Sequence, residues 1–80
     1  KLVKMKVDTG LDQRTIVSGI AEHFDPKDLP GKQVTLLANL QPRKIKGIES
    51  KGMILLAEDN EGRLIFVSPD KPTANGSIVK

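Results

Sequence analysis

The sequence predicts an all-β domain, a small antiparallel barrel with one short helix. Five short runs are apolar or alternate between apolar and polar, turn residues separate them at fairly even intervals, and a single segment has the chemistry of a helix start. The chain has 80 residues, so the prediction is one domain over residues 1–80. A chain this short buries roughly 60% of the surface its unfolded form exposes, which makes for a lean core.

The first strand is expected over residues 2–7, where Val3, Met5 and Val7 alternate with Lys4 and Lys6. Asp8, Thr9 and Gly10 form a turn signal, and residues 15–18 give a second strand that pairs back as an antiparallel hairpin. Asp25 is placed to cap a short helix whose first position is Pro26, where the missing donor costs nothing; Pro30 and Gly31 end it within about two turns. Residues 33–40 are more continuously apolar and read as a central strand buried on both faces. A loop is expected over residues 41–51, a fourth strand over 52–57, a polar turn over 58–62 and a fifth strand over 63–68, closed by Pro69. The tail is rich in Pro, Ala, Asn and Gly, with a terminal pairing segment expected at Ile78 and Val79. The first strand begins with no turn or cap ahead of it, so preceding chain is expected.

Composition excludes several chemistries. Cys is absent and His23 is the single histidine, so a disulfide framework, a thiolate nucleophile and the usual zinc or copper ligand sets fall away. No apolar run approaches the ~20 residues that cross a bilayer, and no signal-peptide pattern opens the chain, so the expectation is a cytoplasmic protein without a membrane partner. Two Phe, no Tyr and no Trp leave almost no aromatic platform for stacking bases. Any nucleic acid would have to be held by charge and shape.

The densest chemistry lies at residues 42–53. Arg43, Lys44, Lys46 and Lys51 face one acid there, Glu49, while Gly47 and Gly52 permit close approach of backbone and Ser50 offers a hydroxyl suited to a phosphate or ribose oxygen. Lys4 and Lys6 can extend the same positive surface. A merely solvated basic loop is the competing reading of this composition. Catalysis has little to stand on: Asp8 with Asp12, and Asp59 with Glu61, sit in turn segments where acids are structural, and His23 reads as packing or solvent-facing. No nucleophile elbow or phosphate-binding Gly-rich loop is present. No catalytic residue, metal or cofactor is called for.

Four fragments then fall in one order and spacing: KMKVDTG at residues 4–10, RTIVSGIA at 14–21, ANLQPRK at 38–44 and GIESKGMIL at 47–55. Together they resemble the tRNA-binding OB-fold domain, whose members include the C-terminal appendix of bacterial methionyl-tRNA synthetases, free-standing tRNA-binding proteins and EMAP-II-like domains. The resemblance runs from Leu2 to Lys80. It implies a five-stranded Greek-key barrel that clasps structured tRNA through backbone and shape. Carried over position by position, the RNA-contacting signature falls on Asn39, Arg43, Lys44, Ser50 and Met53, and physical reasoning adds Lys51, Lys4 and Lys6.

Arg43 and Lys44 would neutralise phosphates, Asn39 and Ser50 would orient the backbone, and Met53 would lie against a base or ribose. Asn39 and Met53 read equally well as turn and core residues. Family members begin with a strand ahead of residues 2–7, so an opening strand is expected to be missing from this sequence. The resemblance further implies a homodimer and a catalytic domain encoded elsewhere, in a methionine–tRNA ligase. A purely structural dimerisation domain and a free-standing, chaperone-like member of the family are the alternatives.

Overall fold

All five expected strands form, and two more occur where the sequence suggests a loop. A computed structural model of the chain describes residues 2–80. The order is β1 (Val3–Asp8), β2 (Gln13–Ser18), a single 3-10 turn (Pro26–Asp28), β3 (Thr35–Leu37), β4 (Arg43–Ile45), β5 (Ile48–Ser50), β6 (Met53–Glu58) and β7 (Leu64–Phe66). Every strand pairing is antiparallel: β1 with β2, β6 between β3 and β7, and β4 with β5.

The alternation read in the first strand sorts its two faces. Val3, Met5 and Val7 turn inward while Lys4, Lys6 and Asp8 are exposed. Across the hairpin Met5 pairs with the buried Ile16 and Lys6 with the half-buried Thr15, but Val17, opposite Lys4, is buried as well, so the division does not hold along the whole of β2. The core is as lean as the length requires. It consists of Val3, Ile16, Val17, Ile20 and Ile54, of which Ile16 is fully buried. Gly52 lies where β6 crosses this core: a methyl there would stand 3.0 Å from the Leu37 carbonyl oxygen and 3.2 Å from Ile16 Cδ1. Glycine is therefore the residue that lets β6 approach β2 and β3 so closely.

Three details depart from the sequence reading. The helix is one 3-10 turn, although Asp25 caps it as expected, accepting a hydrogen bond from the Lys27 amide at 3.0 Å. β3 is short and lies at the edge of its sheet with Leu37 exposed, so the apolar run was a poor guide to burial; β6 holds the central place instead. Ile78 and Val79 are in no strand and are exposed. The tail before them is tied down by Gln33, whose amide donates to the Thr73 carbonyl at 2.6 Å and whose oxygen accepts from the Thr73 amide at 3.1 Å.

Candidate nucleic-acid interface

The basic segment is a β-hairpin. Ile45 pairs with Ile48 across a two-residue turn in which Lys46 and Gly47 both take positive φ, 53° and 82°. Such a turn matches the right-handed twist of the flanking strands, and it sets the register that pairs Arg43 with Ser50 and Lys44 with Glu49. Because strand residues alternate, Arg43 and Lys44 leave the hairpin on opposite faces. The sequence shows them as neighbours; the fold separates them.

On the Arg43 face lies a small, mostly apolar depression of about 80 Å³, bordered by Val17, Leu40, Arg43, Ile45, Ser50 and Met53. Arg43 and Met53 are exposed at its rim. Ser50 is buried, with its Oγ accepting the Val17 amide at 3.0 Å and donating to the Gly52 carbonyl at 3.2 Å. Its hydroxyl thus locks β5 onto β2 and holds the approach to Met53. Asn39 is exposed in the bend that leads from β3 to β4 and borders neither this depression nor the groove behind it.

That groove, about 480 Å³, lies between the lysine-bearing face of β1–β2 and the other side of the hairpin. Lys4 and Lys51 both line it, with Gln13, Thr15 and Glu49. Lys44 projects on the Glu49 side of the hairpin, and Lys6 continues the Lys4 face of β1, although neither borders the groove. The structure therefore gathers Arg43, Ser50 and Met53 at one concavity and Lys4 and Lys51 at another. Among the described residues, none of Lys4, Lys6, Arg43, Lys44 and Lys51 forms an ion pair.

Sequence reasoning missed Arg14. Its guanidinium donates to the Ala38 carbonyl at 2.9 Å and the Lys51 carbonyl at 3.2 Å, fastening the start of the Asn39 bend to the end of β5. Asp12 holds the other side of that guanidinium at 3.4 Å and accepts the Thr9 hydroxyl at 2.6 Å. Its carboxyl is kept below the ordinary Asp value, first by the Thr9 hydrogen bond and further by the charge of Arg14. The available signal was Arg14 alternating inward among apolar residues, a position where a cation needs acceptors. His23 is exposed; its neighbour Phe24 packs on Phe66 with ring centroids 4.7 Å apart. Among the described residues no group of three or more His, Asp or Glu could hold a metal ion, and no helix is long and apolar enough to cross a membrane.

Known proteins are similar to this chain in sequence and fold. The chain is 63% identical over 71 residues to the methionine–tRNA ligase of Christiangramia forsetii, a match covering 89% of the chain and 10% of that enzyme. It is 57% identical over 79 residues to the ligase of Flavobacterium johnsoniae, covering 99% of the chain and 11% of the enzyme. The chain thus spans about a tenth of the length of these relatives. Its fold superposes on the crystal structure of a MetRS-related protein from Pyrococcus horikoshii with a TM-score of 0.91 and 40% identity, covering 100% of this chain and 73% of that one. A chaperone, CsaA of Bacillus anthracis, shares the fold at a TM-score of 0.90 and 22% identity, covering 99% of this chain and 76% of that one. With the family model for the tRNA binding domain matching residues 1–78 and relatives this similar along the same stretch, the chain belongs to the tRNA-binding domain family.

Proposed function

We propose that this domain serves as the C-terminal tRNA-holding module of a methionine–tRNA ligase, raising the local concentration of tRNA near a catalytic domain encoded elsewhere and performing no chemistry itself. The observation that carries the reading is the set of unpaired cations on and beside the β4–β5 hairpin, in a chain that matches such ligases along nearly its whole length. Arg43 and Lys44 neutralise phosphates on the two sides of the hairpin, with Lys4, Lys6 and Lys51 extending the positive surface. Met53 offers a soft apolar contact at the rim of the depression, Asn39 hydrogen-bonds the RNA backbone from its exposed bend, and Ser50 acts by fixing the geometry beneath them. The setting is the cytoplasm.

Two copies pair in this reading. Leu37, Leu55 and Ile65 are 38%, 39% and 52% exposed, and the pairings Thr35 with Leu55 and Ala57 with Ile65 put them on one face of the β3–β6–β7 sheet. An apolar face of this kind supports self-association. Sedimentation with and without tRNA tests both parts: a dimer that shifts on adding tRNA is expected, and a dimer that never shifts would leave only a structural dimerisation domain. In gel shifts, Arg43→Ala with Lys44→Ala weakens binding to different tRNAs about equally. A loss confined to one tRNA contradicts recognition by shape and charge.

A further inference from the structure

We propose that the groove between the β1–β2 face and the β4–β5 hairpin takes a ribose-phosphate unit and gives the domain a preference for RNA over DNA. The inference rests on the tRNA-holding role above and deepens it by naming what is recognised at a second contact, on the far side of the hairpin from Arg43.

Several polar side chains elsewhere on the surface are engaged with the protein itself. Thr9 bonds Asp12, Gln33 bonds Thr73 and Asn75, Thr35 bonds the Val67 carbonyl, and Asp59 bonds Arg63. The side chains of Lys4, Gln13, Thr15, Glu49 and Lys51 converge on one concavity, and none of them makes a hydrogen bond or ion pair among the described residues. The groove is shallow and open to solvent, and its volume of about 480 Å³ leaves room for one ribose-phosphate unit laid along the surface.

Glu49 decides between ligand classes. A carboxylate beside two lysines repels a bare polyanion, which makes the groove a poor site for free phosphate. A ligand bearing an anion and a hydroxyl donor a few ångströms apart satisfies both signs at once: the phosphate goes to Lys4 and Lys51, and the 2′-hydroxyl donates to Glu49 or accepts from Thr15 and Gln13. The 2′-hydroxyl is the group by which a protein tells RNA from DNA at a given site. Glu49 also faces Lys44 across the hairpin without pairing to it, so its charge remains available to the groove.

The test is fluorescence anisotropy of the chain with an RNA stem–loop, the DNA stem–loop of the same sequence, and tRNA, at several salt concentrations. Wild type binds the RNA several-fold more tightly than the DNA. Thr15→Val with Glu49→Gln brings the two to near equality: the lost hydroxyl contacts weaken RNA only, while the lost carboxylate eases repulsion for RNA and DNA alike. Lys4→Ala with Lys51→Ala weakens both and flattens the salt dependence by about 0.7 to 0.9 log units per log unit, the loss of one phosphate contact. Should the Thr15 change disturb folding, Glu49→Gln at its exposed position carries the same comparison. Equal affinity for RNA and DNA in the wild type, or a preference untouched by these changes, overturns the proposal. So does displacement of RNA by a polyglutamate peptide as effective as the RNA itself, which would assign the lysines to acidic protein. If the groove changes do nothing while tRNA binding persists and depends on Arg43, only this inference fails; if tRNA does not bind, the tRNA-holding role fails with it.

Discussion

The molecule contains two tight hairpins outside β1–β2, and they use charge in opposite ways. At the β6–β7 turn the charges are spent on the fold. Asp59 accepts from the Glu61 and Arg63 amides at 2.9 Å each and from Arg63 Nε at 2.8 Å, while Arg63 also reaches Glu61 at 2.9 Å. These bonds hold the Asp59 carboxyl below its ordinary value, the Arg63 amide most of all. At the β4–β5 turn the geometry comes from backbone alone, through the positive φ of Lys46 and Gly47, and Arg43, Lys44 and Lys46 are left without partners among the described residues. Charge satisfied inside the chain stabilises a turn, and charge left unsatisfied is held ready for something outside it.

The largest effect expected on this contrast comes from the hairpin's anchor. Ser50→Ala leaves the buried Val17 amide without its acceptor and costs about 1–3 kcal/mol of stability. Urea unfolding measures it, and a loss well under 1 kcal/mol would mean that the hairpin is not fastened there. Gly47→Ala ranks next at roughly 1 kcal/mol, since the turn demands positive φ and the new methyl meets open space, leaving backbone strain as its whole cost. RNA affinity should fall along with the lost hairpin geometry. Asp59→Asn is expected to lower the melting temperature modestly and leave tRNA affinity unchanged. A tRNA defect from that change would erase the distinction between the hairpins.

The smallest effect is a pH dependence. Asp12 and Asp59 titrate below the ordinary value of 3.8 in the folded chain. Their contribution to stability is therefore fully present above that value, and it is lost as the pH falls through their lowered folded values. Melting temperature followed from about pH 6 to about pH 3 should drop less steeply in Asp12→Asn with Asp59→Asn than in the wild type. Parallel curves would show that neither carboxylate supports the fold.

How far the sequence reveals this contrast differs between the two turns. The polar turn after β6 and the alternation of β1 are legible, because turn chemistry and period-two burial are local properties. The β4–β5 hairpin is not. Its strands have three residues each, too short to establish a period, and Lys46 with Gly47 lacks the Asn-Gly or Asp-Gly signature of a two-residue turn. Without the hairpin, Arg43 and Lys44 read as one patch, whereas their strand pairing sends them to opposite faces. The same limit hides Ser50, whose hydroxyl suits a phosphate by its chemistry but is buried against Val17 by the register. Arg14 escapes notice for a related reason, since its acceptors at Ala38 and Lys51 are distant in sequence. Which residues are basic is visible early; which side each one serves depends on pairing.

The most direct test compares the slopes of tRNA affinity against salt for three proteins: the wild type, Arg43→Ala with Lys44→Ala, and Arg63→Ala. If the unpaired cations of β4–β5 hold phosphates, the double variant loses about 1.4 to 1.8 from the slope of log affinity on log salt, and Arg63→Ala runs parallel to the wild type. Equal slopes in the double variant and the wild type, or a flattened slope in Arg63→Ala, would contradict the account.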